Sequence, residues 1–348
     1  MSVGVTPSSA RNTQGSTRAW AKGASVMLLT LLLFALSVAV GSSGNLWGLP
    51  WNAAGEDTLW QIARDIRMPR ALGAWLAGGL LGLAGAIAQG LFRNPLADPY
   101  LLGSASGASL GVAATLWAWQ APAFAAPWLL RLGLTGAAFV GALAGVLLSL
   151  LLARGVQHTL RLLLAGVIVG LVLGAFKDLI TLAAPQVLTT LQAFSMGSTA
   201  FLGWPACMLM AAVAMPGLLA AVALSRVLDG LTLGEATARS LGLPLGMSRG
   251  VLVVILALAT GTAVAQTGLV AFVGLLAPHL ARSLWRTTHA VLLTLSAAMG
   301  GLLMLAADLL ARGLIAPQEL PVGVLTATLG GVHLLGLLYR RSRNGTFT

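Results

Sequence analysis

The chain has 348 residues, of which 57% are hydrophobic and only 8% charged, with a mean hydropathy of +0.90. A soluble domain carries about 25% charged residues to cover its surface, so a soluble globular fold is excluded and lipid is the solvent. The net charge of +11 would suit nucleic acid, but the only lysines are Lys22 and Lys177, and the arginines stand singly or in pairs between apolar runs; that is how cytoplasmic loops of membrane proteins are charged, and it argues against nucleic-acid binding.

Residues 1–22 are polar and rich in Ser, Thr, Gly and Arg. They read as a disordered cytoplasmic arm. An apolar run follows at 24–40. Basic residues ahead of such a run also fit a signal peptide, with a cleavage site near 41–44. The flanking Ser and Gly bring the run close to the ~20 residues that cross a bilayer, which favours a retained first helix. Further apolar runs lie at about 71–91, 100–120, 132–152, 162–182, 203–224, 250–267, 269–285, 290–311 and 321–338. The expected architecture is an all-α polytopic membrane protein of about ten transmembrane helices. Its transmembrane domain covers 23–340 and a cytoplasmic tail covers 341–348. The run 269–285 is the weakest, because Pro278, His279 and Arg282 interrupt it; Pro is tolerated where neighbours resatisfy the backbone.

Charge fixes an expected orientation. With the N-terminus inside and the spans alternating, fourteen Lys and Arg fall inside. Five fall outside, Arg64, Arg67, Arg70, Arg131 and Arg312, and Lys177 lies within a span. This is the positive-inside bias. An odd number of spans would spoil it, so both termini are expected in the cytoplasm.

Small residues four apart share a helix face and let a neighbouring backbone approach. Gly103, Gly107 and Gly111 form one such strip, Gly166, Gly170 and Gly174 another, with the pairs Gly78–Gly82 and Gly141–Gly145 beside them. These strips report close packing, not function. Cys207 is the only cysteine and reads as a small buried hydrophobe.

Neither lysine ends a phosphate-cradling loop, so any ATPase that drives this protein is another polypeptide. The chain carries no catalytic motif and is not read as an enzyme. The four His, at 158, 279, 289 and 333, are too scattered to indicate a metal site, and no cofactor is expected. The longest inside loop, 225–250, is more informative. Thr232-Leu233-Gly234-Glu235 fits a capping box, 236–241 continues as helix, and Gly242 and Pro244 end it. This short helix is either an ordinary interfacial helix or the contact for a cytoplasmic partner.

Several ordered motifs carry a resemblance. They are Arg67-Met68-Pro69-Arg70, a Gly/Ala-rich span ending Gln89-Gly90, Arg93-Asn94-Pro95-Leu96-Ala97-Asp98-Pro99 and Leu102-Gly103-Ser104-Ala105-Ser106-Gly107. The segments 233–242, 268–279 with Arg282, Ala307-Asp308 with Arg312, and Glu319-Leu320-Pro321-Val322-Gly323 complete them. Together they span most of 60–330, and the chain resembles the FecCD-type permeases of importers for ferric siderophores, heme and vitamin B12. The resemblance implies a type II ABC importer permease of ten helices, working as a homodimer in the inner membrane. Two ATPase subunits would bind below and a periplasmic binding protein above. It implies that Gly234, Glu235, Ala238, Arg239, Leu241 and Gly242 fit the ATPase groove. It also implies that Arg67, Arg70 and Arg312 face acidic residues of the binding protein. One departure is Gly330-Gly331-Val332-His333, where the family has a small residue or Pro followed by an aromatic; His333 reads as local packing or a substrate contact.

The expected function is ATP-driven import of a metal chelate, a ferric siderophore or heme, from periplasm to cytoplasm. Cobalamin is the alternative cargo. An ion-coupled secondary transporter needs ionisable groups at mid-membrane, where only Lys177 and Asp178 qualify, and both fall near the outer end of their span. Adjacent helical residues point about 100° apart, so these two are not a natural pair. Lys177 either snorkels to the interface or lines the outer pathway and attracts an anionic chelate.

Overall fold

The computed structural model describes residues 9–41, 44–45, 60–119, 127–153, 159–285 and 287–343. Each of the ten expected spans is occupied by a helix. They are α1 (Ser9–Ala39), α2 (Met68–Phe92), α3 (Ser104–Trp119), α4 (Pro127–Leu152), α5 (Thr159–Ala183), α7 (Trp204–Ala223), α10 (Leu245–Thr267), α11 (Val273–Leu284), α12 (His289–Gly313) and α13 (Val322–Arg343). Three shorter helices lie between them: α6 (Leu188–Met196), α8 (Ser225–Thr232) and α9 (Glu235–Ser240). A two-residue antiparallel ribbon, Val40–Gly41 with Gly44–Asn45, follows α1. Among the described residues, seven helices are long and apolar enough to cross a membrane.

The shortfall from ten has local causes. The turn Pro99–Leu102 uses up the first residues of the 100–120 run, so α3 keeps 16 residues. Here Asn94 Oδ1 accepts Leu96 N at 2.9 Å and Asp98 Oδ1 accepts Tyr100 N at 2.8 Å. These side-chain turns compete with helix. The run 269–285 starts with a bend, Gly268 at φ +70 and Phe272 at φ +67, and only 12 residues remain for α11. Among the described residues, the apolar stretch of the tenth helix, α13, is Val322–Gly336. At the other end, α1 is helical from Ser9, inside the stretch expected to be disordered; residues 1–8 lie outside the described residues.

The bundle is built around α2, which packs on α12, α10, α11 and α7. Glycine sets the spacing. A Cβ on Gly78 would run into the carbonyl oxygen of Gly300, and one on Gly300 into the carbonyl of Gly78. Gly82 meets the Ser296 carbonyl, and Gly85 meets the backbone of Gly274 at the start of α11. The α3–α4 pair uses the same device, with Gly107 and Gly141 opposed. The strip on α5 is only partly used: Gly166 abuts Leu101, but Gly174 has open space. Cys207 is buried as expected, its thiol on the Pro69 carbonyl at 3.1 Å.

Candidate functional site

Two polar assemblies stand at opposite ends of the α2–α12 pair. One is the loop of α8 and α9. The expected capping box does not form. Thr232 belongs to the last turn of α8, and its hydroxyl donates to Asp229 O at 2.6 Å. The cap of α9 is Gly234, at φ +101, a conformation that favours glycine. Glu235 turns away from the helix start to Arg249 on α10, at 2.7 Å, and lies 3.7 Å from Arg239. Burial alone would raise the Glu235 carboxyl. The Arg249 guanidinium, with Arg93 and Arg239 nearby, outweighs it and holds the group below the usual carboxylate range. The brace is therefore charged at neutral pH and is lost only as pH falls through that lowered value.

The six expected coupling residues divide by what they do. Gly234 and Gly242, the latter at φ +74, shape the two turns. Ala238 is fully buried on the α8 side and anchors the helix, and Glu235 braces it. Arg239 and Leu241 are presented outward, with the Leu241 side chain 61% exposed. Leu233 and Met247 are exposed beside them, so an apolar rim surrounds a cation. α8 went unrecognised in the sequence, although its buried Val227, Leu228 and Leu231 alternate with exposed Arg226 and Thr232 at helical spacing. It fastens the loop to the core: Asp229 Oδ1 accepts both His289 N at 3.0 Å and Nδ1 at 2.7 Å, at the first turn of α12. A carboxylate there complements the helix dipole.

The second assembly holds the three arginines that were expected to face a binding protein. All are buried: Arg67 is 5%, Arg70 9% and Arg312 2% exposed. Arg70 Nε donates to Asp308 Oδ1 at 3.0 Å, and its two terminal nitrogens donate to Glu319 at 3.0 and 2.8 Å. Arg312 Nη2 donates to Asp308 Oδ2 at 2.7 Å and to the Ser37 hydroxyl. Thr199 adds its hydroxyl to Asp308. Arg312 also caps the end of α1 through Ser37 O and Val40 O, and Arg67 does so through Val38 O and Ala39 O. A charge in a low-dielectric interior must be paired. The carboxylates that Arg70 and Arg312 reach are the chain's own. Arg64, one helical turn before Arg67, is the exposed cation of that segment.

Lys177 also departs from expectation. Its Nζ lies 2.8 Å from Asp178 Oδ1. The backbone directions diverge, but the four-carbon lysine stem is long enough to swing round the helix. Lys177 is partly exposed, on a helix whose apolar window is only 17% buried.

A bundle of long apolar helices packed through glycine, with an outward-facing loop at one end, has the architecture of a polytopic membrane protein. Comparison with known proteins gives the family. The model of the FecCD transport family matches residues 29–340, and the chain belongs to that family. It is 38% identical over 326 residues to the hemin transport system permease protein HmuU of Yersinia pestis, covering 91% of this chain and 96% of that one. It is 40% identical over 325 residues to the vitamin B12 import system permease protein BtuC of Salmonella typhi, covering 92% and 95%. Among solved structures, an inward-facing conformation of a metal-chelate type ABC transporter superposes with a TM-score of 0.80 at 26% identity, covering 91% of this chain and 98% of that chain. The protein is thus the multi-pass, inner-membrane permease of an ABC importer. Its ATPase is a separate subunit, and a substrate-binding protein is its other partner.

Proposed function

We propose that this permease forms a homodimer that moves a metal chelate inward, with the α8–α9 loop receiving the ATPase and both termini in the cytoplasm. The observation that carries the coupling role is the exposed Leu233, Arg239, Leu241 and Met247 on a loop anchored by Ala238, Glu235 and Asp229. A loop that only rested on the bilayer would not need three separate ties to the core. The homodimer reading is supported by α5, where Leu164, Ile168, Leu171 and Leu182 form a wide apolar face that a second copy would cover. The hemin and vitamin B12 relatives and the metal-chelate neighbour support a chelate as cargo, with cobalamin the alternative. The exposed Arg64 is the better candidate for meeting a binding protein, since Arg67, Arg70 and Arg312 act as internal struts.

Leu241→Glu places a charge in the apolar rim without touching the anchors. ATPase retained on the purified permease is expected to fall by about tenfold or more, or about 1.4 kcal/mol, with the amount of permease in the membrane unchanged. Equal retention by variant and parent would remove the loop from the ATPase contact.

Lys177 is proposed to line the outer pathway and attract an anionic chelate. Lys177→Met is expected to lower uptake several-fold while ATPase retention and membrane level stay at the parent's values. Uptake at the parent rate would return Lys177 to a lipid-interface role.

A further inference from the structure

The exposed face of α5 is not uniformly apolar. Leu164, Ile168, Leu171, Ala175, Asp178 and Leu182 follow one another at steps of four and three residues, and all six are exposed. Such steps draw a seam along one side of a helix. Asp178 stands in that seam with its side chain 72% exposed, and Lys177 beside it is 29% exposed. One carboxylate oxygen, Oδ1, lies 2.8 Å from Lys177 Nζ. Among the described residues, no hydrogen-bond donor reaches the other oxygen. Gly174, one turn before Asp178, has nothing within 4 Å of where a Cβ would sit, so the helix surface beside the carboxylate is open.

A carboxylate on an apolar helix face is costly in a bilayer and persists where it has a partner. Lipid headgroups suit Lys177 alone, because their phosphates repel Asp178. A second copy of the chain suits both residues. Two copies enter the membrane in one orientation, so a two-fold axis between them runs along the membrane normal and brings residues of equal depth together. Such a contact is isologous: what position 177 of one copy meets, position 177 of the other meets as well. A lone cation near that axis would face its own like charge. A cation and an anion adjacent in sequence are self-complementary instead.

We infer that the Lys177–Asp178 pairs of two copies close into one ring of alternating charge across an α5–α5 contact, each ammonium holding its own Asp178 and that of the partner copy. This rests on the homodimer reading and adds which residues set the register of the two copies. The donor count allows it, since an ammonium has three N–H groups and a carboxylate two oxygens. The ring uses two donors of each lysine and both oxygens of each aspartate. A third donor is left for an anionic cargo in the pathway. Leu171 and Leu182, in the same seam on either side of Asp178, keep water from the ring and so strengthen each pair.

The test uses two differently tagged copies of the full chain, co-expressed with the ATPase and captured through one tag in detergent. Parent captured with parent reads the homodimer. Lys177→Asp puts two carboxylates in the seam, and Asp178→Lys puts two ammoniums there. Capture of either variant by a second copy of itself is expected to fall by about tenfold or more against the parent. Capture of Lys177→Asp by Asp178→Lys is expected to return to the parent's level. Both substitutions on one copy keep the charges alternating and should restore self-capture. Ala175→Cys with Cys207→Ser reads the same contact with the charges intact: a short bifunctional maleimide should join the two copies in the membrane. If each reversed copy captures itself as well as it captures the other, or if Ala175→Cys copies that co-purify are not joined, the inference fails. Loss of capture in both the like and the opposite combinations, with membrane levels at the parent's values, also overturns it. A parent that captures itself alongside charge-blind variants leaves the homodimer standing and removes the ring, whereas a parent that does not capture itself refutes the homodimer.

Discussion

Asp308→Ala is expected to destabilise the permease by about 3–5 kcal/mol, because it removes the carboxylate that two buried guanidiniums share. Asp308 is fully buried, with one oxygen on Arg70 and the other on Arg312. Arg70 retains Glu319 in the variant, and among its described hydrogen bonds Arg312 retains only neutral acceptors, at the end of α1 and on the backbone oxygen of position 308. The Arg312 charge, held in a low-dielectric interior by one carboxylate, cannot be rehydrated without opening the contact between α1 and α12. Glu319→Gln provides the contrast. Glu319 keeps 26% of its side chain exposed, so solvent screens it and its loss should cost under about 1 kcal/mol. Thermal unfolding in detergent, followed for parent and both variants, makes the comparison. Equal midpoints for the two variants would show that Asp308 is not the keystone of the cluster.

A single methyl at Gly78 is expected to cost about 1–3 kcal/mol or more, while the same methyl at Gly79 is expected to be neutral or slightly stabilising. Alanine favours a helix over glycine by about 1 kcal/mol at either position. The difference lies in what the methyl meets. At Gly79 the nearest atom is Ala297 O at 3.4 Å, an ordinary contact. At Gly78 it is the carbonyl oxygen of Gly300, with Met304 beside it, and backbone cannot move aside as a side chain does. The α2–α12 crossing would have to widen along its length. Membrane levels and unfolding midpoints of Gly78→Ala and Gly79→Ala would decide this, and matched behaviour of the two would contradict it.

The span pattern was legible because lipid demands long apolar runs, and length with hydropathy finds them. What broke the runs was local chemistry that hydropathy does not weigh: the Asn94 and Asp98 side-chain turns ahead of α3, and the bend at Gly268 and Phe272 ahead of α11. The capping box failed because Thr232 can serve the end of one helix as readily as the start of the next. The internal partners of the arginines were hidden for a deeper reason. Nothing in Arg70 itself reveals a partner 238 positions away. The Asp308–Arg312 pair did leave a signal, the i,i+4 spacing on one helix face, and it would have pointed inward. The edge-on ring contact between His279 and His333 left none, since it depends on how α13 lies against α11.

The opposed carbonyls at Gly78 and Gly300 also govern which sequences can replace this one. Where two side chains touch, a larger residue on one helix can be offset by a smaller one on the other, and the two positions drift together. Here the obstacle to any side chain at position 78 is an oxygen that every amino acid carries. No substitution at position 300 removes it. Selection for suppressors of Gly78→Ala should therefore return true revertants or distant changes that reset the helix crossing, and no compensating residue at position 300. Each of the two positions has to be kept small on its own account, in every genetic background.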